Sequence, residues 1–283
     1  MLVLVTGAGG MLGVAVTATA RRLDHEVVPL SHGELNVCDA AAVGDALAGL
    51  RPDVVVNCAA WTDVDGAEEA EQAALELNGS APALLAQAAN ANGARLIHLS
   101  TDYVFDGRSE DPYVETDATG PRSAYGRTKL AGEEAVIAAG GPHAIVRTSW
   151  LFGAGGGNFV ATMLRLAGED RDEVSVVSDQ VGCPTFAGHL AGALVEIADR
   201  RLDGVMHVAG AGQCSWAELA AEAFSQSGTQ CRVKPVSTRE FPRPAERPAH
   251  SVLVSGRDDV PRLPPWQQGV AAYLAEIREE IAR

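Results

Sequence analysis

Positive charge is scarce in this chain: 22 Lys and Arg stand against 37 Asp and Glu, a formal charge of −15 over 283 residues. A field of that sign repels nucleic acid and anionic lipid, and it exerts no long-range pull on an anionic substrate. Any phosphate site must therefore be local, made from backbone N–H groups and a few placed Arg or Lys side chains. Paired cysteines are missing too. Cys38, Cys58, Cys183, Cys214 and Cys231 form no C-x-x-C unit and are odd in number, so free thiols in a reducing compartment are expected. The seven histidines make no H-E-x-x-H or similar cluster, and no metal site is expected. No apolar run is long enough to span a bilayer, and the start, Met1 to Val5, lacks the charged region of a secretory leader. A cytoplasmic protein with no nucleic-acid or membrane partner is the expectation. Its 47% hydrophobic and 21% charged residues carry no signature of disorder, and the length suits one large α/β domain with or without a smaller cap.

What is present is a rhythm. Leu2 to Val5, Val27 to Leu30, Val54 to Asn57, Leu96 to Leu99, Ala144 to Arg147 and Val174 to Val177 are short, β-branched or Leu-rich runs bounded by Gly, Pro, Asp or Ser. They read as buried parallel strands. Helical stretches are expected between them near 11–22, 39–49, 66–91, 124–139 and 157–168. The alternation predicts an α/β fold with a doubly wound parallel sheet. From about residue 180 prolines punctuate shorter elements, with helices expected near 187–200, 215–227 and 266–282 and a strand near 204–208. The expected division is a dinucleotide-binding domain over 1–180 and a smaller substrate-binding portion over 181–283, with segments free to interleave.

Directly after the first strand comes Thr6-Gly7-Ala8-Gly9-Gly10-Met11-Leu12-Gly13, opening a helix. Gly7 allows the tight turn, Gly10 lets a pyrophosphate approach the backbone, and Gly13 lets helix pack on strand. The plainer alternative is a glycine-rich turn with no ligand, but the strand-turn-helix context favours a dinucleotide. An acid at the end of the second strand would clamp a ribose 2′-hydroxyl. The strand end instead reads Leu30-Ser31-His32-Gly33, with Glu34 beyond it. A 2′-phosphate would not be repelled there, so NADPH is favoured over NADH, either being admissible.

Tyr125 and Lys129, four residues apart, share one face of an expected helix. A phenol titrates near pH 10, and a cation held beside it would bring it toward neutrality. Lys129 would do this while holding a nicotinamide ribose, and Tyr125 would give its proton to a carbonyl oxygen as hydride arrives at carbon. A surface helix that happens to carry Tyr and Lys is the bland reading of that pair. Thr101, after the fourth strand, offers a hydroxyl to polarise the carbonyl, and Ser100 is a competing candidate. Either hydroxyl would otherwise cap a turn. Glu68, Glu69 and Glu71 read as a solvated helix face, Trp150 as core, and Arg147 as a structural ion-pair residue. Arg247 sits in a Pro-bracketed loop and is a candidate nucleotide contact.

These features together resemble the extended short-chain dehydrogenase/reductase superfamily with its Rossmann-type domain. The segments Asn57 to Glu68, Ser100 to Gly107, Thr148 to Gly153, Gly157 to Val160, Ser178 to Thr185 and Arg247 to Leu253 are similar to those of the dTDP-4-dehydrorhamnose reductase family. The resemblance covers essentially the whole chain, in the family's order. It implies NAD(P)H-dependent reduction at C4 of dTDP-4-dehydro-β-L-rhamnose, giving dTDP-L-rhamnose. Tyr125 would be the proton donor, Lys129 its partner and Thr101 a hydrogen-bonding group at the substrate. Gly7, Gly10, Met11, Leu12 and Gly13 would hold the cofactor, with Asn36 and Val37 near the adenine and Ala59, Ala60 and Trp61 passing along it. Asp102, Trp150, Asn158 and Arg247 would line the site of the dTDP-linked 4-keto-6-deoxy sugar.

Three departures from the family pattern matter. Asn36 stands where Asp is usual, and Trp61 where Tyr or His is usual. Ala15 occupies a position where some members carry a Glu for a Mg²⁺-mediated dimer, which argues against metal-dependent dimerisation and leaves monomer or homodimer open. The competing functions are a 4-ketoreductase for another dTDP-deoxysugar, a non-catalytic regulatory relative, and an epimerase or dehydratase that retains its NAD⁺.

Overall fold

Residues 1–169 and 171–281 are described by the computed structural model of the chain. In chain order its regular elements begin β1 (Leu2–Thr6), α1 (Met11–Arg22), β2 (Glu26–Leu30), α2 (Ala40–Leu50), β3 (Val54–Asn57), α3 (Val64–Glu69), α4 (Glu71–Leu75), α5 (Ala81–Ala91), β4 (Arg95–Thr101), α6 (Ala124–Ala139) and β5 (His143–Thr148). They continue with β6 (Leu151–Phe152), α7 (Phe159–Ala167), β7 (Glu173–Val177), β8 (Val181–Gly182), β9 (Thr185–Phe186), α8 (Ala187–Asp199), β10 (Gly204–His207), β11 (Cys214–Ser215), α9 (Trp216–Ser227), β12 (Arg232–Val236) and α10 (Trp266–Ile281).

Six strands form one parallel sheet in the order β10-β5-β4-β3-β1-β2. The Val54-Val55-Val56 run of β3 is buried on both faces, as a central parallel strand requires. Pro29 sits in β2, an edge strand, where a missing backbone donor costs no ladder bond. Val3, Val5, Val54, Val56, Ile97 and Leu99 pack one face against α1 and α8. Leu4, Val55, Leu96 and Ile145 pack the other against α2 and α5. A second, smaller body of packing joins α7, β7, α9, β12 and α10. Among the described residues no helix is long and apolar enough to cross a membrane.

The parallel sheet with helices on both faces is the expected fold class, and most element positions agree with the sequence reading. Two strands exchange places. Val174–Val177, expected in the main sheet, lies in β7 and pairs with β12 in a separate two-stranded parallel sheet. The strand expected near 204–208 in the smaller portion is β10, and it closes the main sheet beside β5. The reason is α8, whose apolar face packs on α1 and carries the chain back to the sheet. The main sheet thus takes in a strand from beyond residue 180, and the smaller sheet pairs β7, before it, with β12, after it.

The single helix expected over 66–91 is broken into α3, α4, a π-turn at Glu76–Ser80, and α5. Pro82, in the first turn of α5, has no N–H to return to the carbonyl of Asn78 and its ring crowds that carbonyl, so the turn widens. The freed carbonyl faces Gly132 of α6, where an added Cβ would sit 2.1 Å from it. The helix expected over 266–282 ends its description at Ile281, and Ala282 lies outside the described residues.

Candidate active site

The site begins at the carboxyl end of β1. Gly7 has φ +65°, and a Cβ there would lie 2.5 Å from the backbone nitrogen of Ala59. A Cβ on Gly13 would lie 2.3 Å from the Gly7 carbonyl oxygen. These approaches let α1 start flush against β1 and β3. Gly10 is the N-cap of α1, and no side chain caps that end. A twelve-residue helix thus directs its dipole and the N–H groups of Met11, Leu12 and Gly13 into an open cradle, the setting a pyrophosphate needs. The residues fit a dinucleotide.

The adenosine end departs from expectation. Glu34 folds back onto the end of β2, where its carboxylate accepts from the Ser31 N–H at 2.8 Å and the Ser31 hydroxyl at 2.6 Å. Those two hydrogen bonds hold its pKa below the ordinary carboxylate value. The open strand end on which the preference for NADPH rested therefore carries a negative charge. Asn36 is exposed and accepts from the Cys38 N–H at 3.1 Å, an Asx turn. Val37 is buried in the core under α2 and α5, so its side chain is withdrawn from the adenine side.

The strip expected along the cofactor is held by buried amides. Asn57 accepts from the Ala59 N–H at 3.1 Å and the Thr6 hydroxyl at 2.7 Å. Asn78, in the π-turn, accepts from the Trp61 N–H at 2.8 Å and donates back to the Trp61 carbonyl at 3.1 Å. It also donates to the Thr128 hydroxyl on α6 at 3.2 Å, joining the strip to the helix that carries Tyr125 and Lys129. Ala60 lies between these two anchors.

Helix α6 is fixed at its start by two caps. Ser123 accepts from the Gly126 N–H at 3.1 Å, and Glu68 accepts from the Ala124 N–H at 2.8 Å. Glu68 is thus a clamp rather than part of a solvated face, and Glu71 pairs with Arg127 at 2.8 Å. Lys129 is buried and donates to the Leu99 carbonyl at 2.6 Å. Burial lowers its pKa to about 8, against the opposing pull of Glu133. Tyr125 is half-buried, and burial pushes its phenol up to about 12. The expected depression of Tyr125 by Lys129 is absent, because desolvation dominates the phenol.

Thr101 and Ser100 are separated by the strand's alternation. Ser100 faces α6 and donates a short hydrogen bond to Glu133, which is itself held by buried Arg147 at 2.7 and 2.9 Å. Ser100 is therefore committed to the buried pair, and Arg147 is the structural ion-pair residue expected. Thr101 donates to Asp102 at 3.0 Å, accepts from the Tyr103 N–H at 3.2 Å, and lies beside the Tyr125 phenol, whose pKa it pulls down against burial. Asp102 is buried, its Oδ2 without a hydrogen-bond partner among the described residues, and burial raises it to about 6.

Beside this cluster opens a cleft of about 720 Å³, walled by α7, β7, Trp216 and the loop carrying Phe241 and Arg247. Arg247 lines it, but its guanidinium is engaged by the Asp65 carboxylate, with the Nη2–Oδ2 distance 2.8 Å. Trp150 holds φ +48° and stacks flat on Trp216, ring centroids 3.5 Å apart at 5°. Gly182 backs the Trp150 ring, where a Cβ would lie 2.5 Å from it. Of this pair Trp216 lines the cleft, and Gln180 fixes its indole by accepting at 3.1 Å. Asn158, expected at the sugar, is the N-cap of α7: it accepts from Ala161 and donates to the Gly153 carbonyl and the Tyr273 hydroxyl. Its amide is spent on structure. Trp216, Asn78 and Glu133 were not singled out from the sequence; the S-x-x-E pattern of Ser215 and Glu218, which marks a helix start, is the signal that could have placed Trp216.

Comparison with known proteins agrees with this geometry. The family model described as RmlD substrate binding domain matches residues 1–279. A dTDP-4-dehydrorhamnose reductase of Streptomyces griseus is 46% identical over 276 residues, spanning 95% of this chain and 90% of that protein. The crystal structure of a dTDP-4-dehydrorhamnose reductase from Clostridium acetobutylicum superposes with a TM-score of 0.93 at 40% identity, over 98% of this chain and 100% of the other. That of a dTDP-4-dehydrorhamnose reductase from Bacillus anthracis in complex with NADP gives 0.94 at 35% identity, over 97% and 99%.

Proposed function

The chain belongs to the family of dTDP-4-dehydrorhamnose reductases, and from that premise we propose that it reduces the C4 keto group of dTDP-4-dehydro-β-L-rhamnose to give dTDP-L-rhamnose. NADPH or NADH supplies the hydride when bound. The observation that supports the reading is the meeting of Tyr125 and Thr101 at the carboxyl end of β4, with Lys129 donating to Leu99 of the same strand. In a doubly wound sheet that end is where ligands bind.

In this mechanism the Tyr125 phenol is the acid. A pKa of about 12 keeps it protonated near neutrality, ready to deliver a proton to the C4 oxygen as negative charge develops there. Lys129 spends one N–H on the Leu99 carbonyl and has two left to orient the nicotinamide ribose. Gly7, Gly10, Met11, Leu12 and Gly13 hold the pyrophosphate, and Ala59, Ala60 and Trp61 flank the cofactor. Asn36 and the backbone of Val37 are assigned to the adenine. Arg247 takes the sugar-nucleotide diphosphate, with Asp65 holding its fork in place until substrate arrives. The stacked Trp150 and Trp216 form the apolar wall behind the sugar, with Asp102 beneath it.

The portion expected over 1–180 would hold cofactor and, through α7, β7, Asp65, Asp102 and Trp150, share the substrate side with the portion over 181–283, apart from β10 and α8. The enzyme would act in the cytoplasm as a monomer or homodimer. NADPH and NADH oxidation against a panel of dTDP-4-keto-6-deoxy sugars tests the reading. The fastest turnover is expected with dTDP-4-dehydro-β-L-rhamnose. Faster turnover of another dTDP sugar would reassign the substrate, and no turnover with any would leave a regulatory relative as the better account.

A further inference from the structure

The hydroxyl of Thr101 has one proton to give. It is directed at Asp102 Oδ1, 3.0 Å away, while the oxygen accepts from the Tyr103 N–H. In that arrangement Thr101 cannot donate to a substrate carbonyl. With its proton spent there, it faces the Tyr125 phenol only as an acceptor, whereas a Thr101 proton given to Tyr125 would lower the phenol's pKa. In that direction Thr101 lends nothing to the phenolate that reduction creates.

We propose that Asp102 is a positioning residue that sets the direction of the Thr101 hydroxyl. As a carboxylate it takes the Thr101 proton. As a neutral acid it donates to Thr101 Oγ1 and turns the Thr101 proton, and with it the Tyr125 proton, toward the substrate carbonyl. The proton that loads the carboxyl comes from water while the cleft is open, and no bond other than O–H is made or broken. The inference rests on the reductase reading above.

Three features support it. Asp102 is 1% exposed and its Oδ2 has no hydrogen-bond partner among the described residues, and burial outweighs the Ser251, Thr101 and backbone contacts that favour the charged form. The geometry is fixed at both ends, since Thr101 ends β4 and Ser251 lies against the same carboxyl from the late loop. The groups around it titrate elsewhere. Burial and the Asp102 charge itself raise Tyr103 from the adjoining turn, Tyr125 from α6 and Cys183 from the segment after β8. Lys129, also on α6, is lowered to about 8, while Arg247 and Asp65 act on this cluster through Tyr103. Asp102, raised to about 6, is the group among these whose charge changes on the acid side of neutrality. His250, next to Ser251, has a buried Nδ1 with no hydrogen-bond partner among the described residues and requires its own control.

The test has two readouts. Infrared difference spectra of wild type against Asp102→Asn, without substrate, should show a protonated-carboxyl band that fades as pH rises between about 5 and 8. Its absence throughout that range overturns the proposal, whether or not the protein turns over any sugar. In steady-state kinetics the wild-type kcat should fall about tenfold per pH unit above the Asp102 transition. Asp102→Asn, whose amide is a permanent donor to Thr101, should lose that limb, and His250→Gln should keep it. An Asp102→Asn profile of unchanged shape, with only KM altered, reduces Asp102 to a substrate contact and overturns the gate. Absence of turnover in wild type with every dTDP-4-keto sugar would instead defeat the reductase reading, with the infrared titration still deciding the state of Asp102.

Discussion

The two sides of the site are made of different material. On the cofactor side the working groups are backbone: an uncapped helix start, and glycines whose missing Cβ atoms let Gly7 touch Ala59 and Gly13 touch Gly7. On the substrate side they are side chains drawn from distant segments: Arg247 on Asp65, Trp150 on Trp216, Gln180 on Thr238. The difference follows from what each ligand asks. A pyrophosphate needs N–H dipoles at short range, which a turn of a few residues supplies. A sugar nucleotide needs charge, apolar area and direction at once, and no short segment can present all three.

Four substitutions break or sharpen that contrast. Between the two sides, Tyr125→Phe removes only the phenolic hydroxyl, and kcat should fall by roughly 10²–10⁴-fold while NADPH binding, followed by fluorescence, stays unchanged. Wild-type turnover in that variant would sink the mechanism. Gly13→Ala attacks the backbone side: its Cβ cannot coexist with the Gly7 carbonyl 2.3 Å away, so cofactor affinity should drop by about 10²-fold with a lowered Tm. Calorimetry showing native affinity would mean that α1 can shift without cost. Arg247→Ala attacks the side-chain half, and KM for the dTDP sugar should rise roughly tenfold or more while KM for NADPH holds. A parallel rise in both would show that the two sides are not separable. Glu34→Ala has the smallest expected effect, a several-fold shift in kcat/KM toward NADPH over NADH through removal of the charge at Ser31. An unaltered cofactor ratio would remove Glu34 from the 2′ position.

Stability should respond to pH through the same cluster. The folded pKa of Asp102 is raised from 3.8 to about 6, so the native state holds the proton that the unfolded chain gives up between those values. Its contribution therefore worsens as pH rises through that window and levels off above it. Asp102→Asn should be more stable than wild type near neutrality by up to about 3 kcal/mol, the advantage shrinking toward pH 4 in urea titrations. A constant difference across pH would mean that the carboxyl does not titrate in the folded state.

How far the chain could be read from residues alone divides along the same line. The glycine turn, the Tyr125/Lys129 spacing and five strands of the main sheet are periodic or local, and they stand where expected. The sixth strand is β10, because α8 packs on α1 and returns the chain to β5, a contact between segments that no local pattern encodes. Asn158 looked like a ligand residue and is a helix cap, since a polar residue before an apolar run serves either purpose. Ser100 and Thr101 could not be ranked until the strand's alternation pointed Ser100 at Glu133. Asn78 was invisible because its value lies in a π-turn that Pro82 opens.

The stacked indoles of Trp150 and Trp216 give the molecule an optical property of its own. Two such rings in face-to-face contact quench and redshift each other's emission, and one of them borders the cleft while the other is pinned between Gly182 and its partner. Any sugar that pries the pair apart would report its arrival as a change in intrinsic fluorescence, without label or coupled assay.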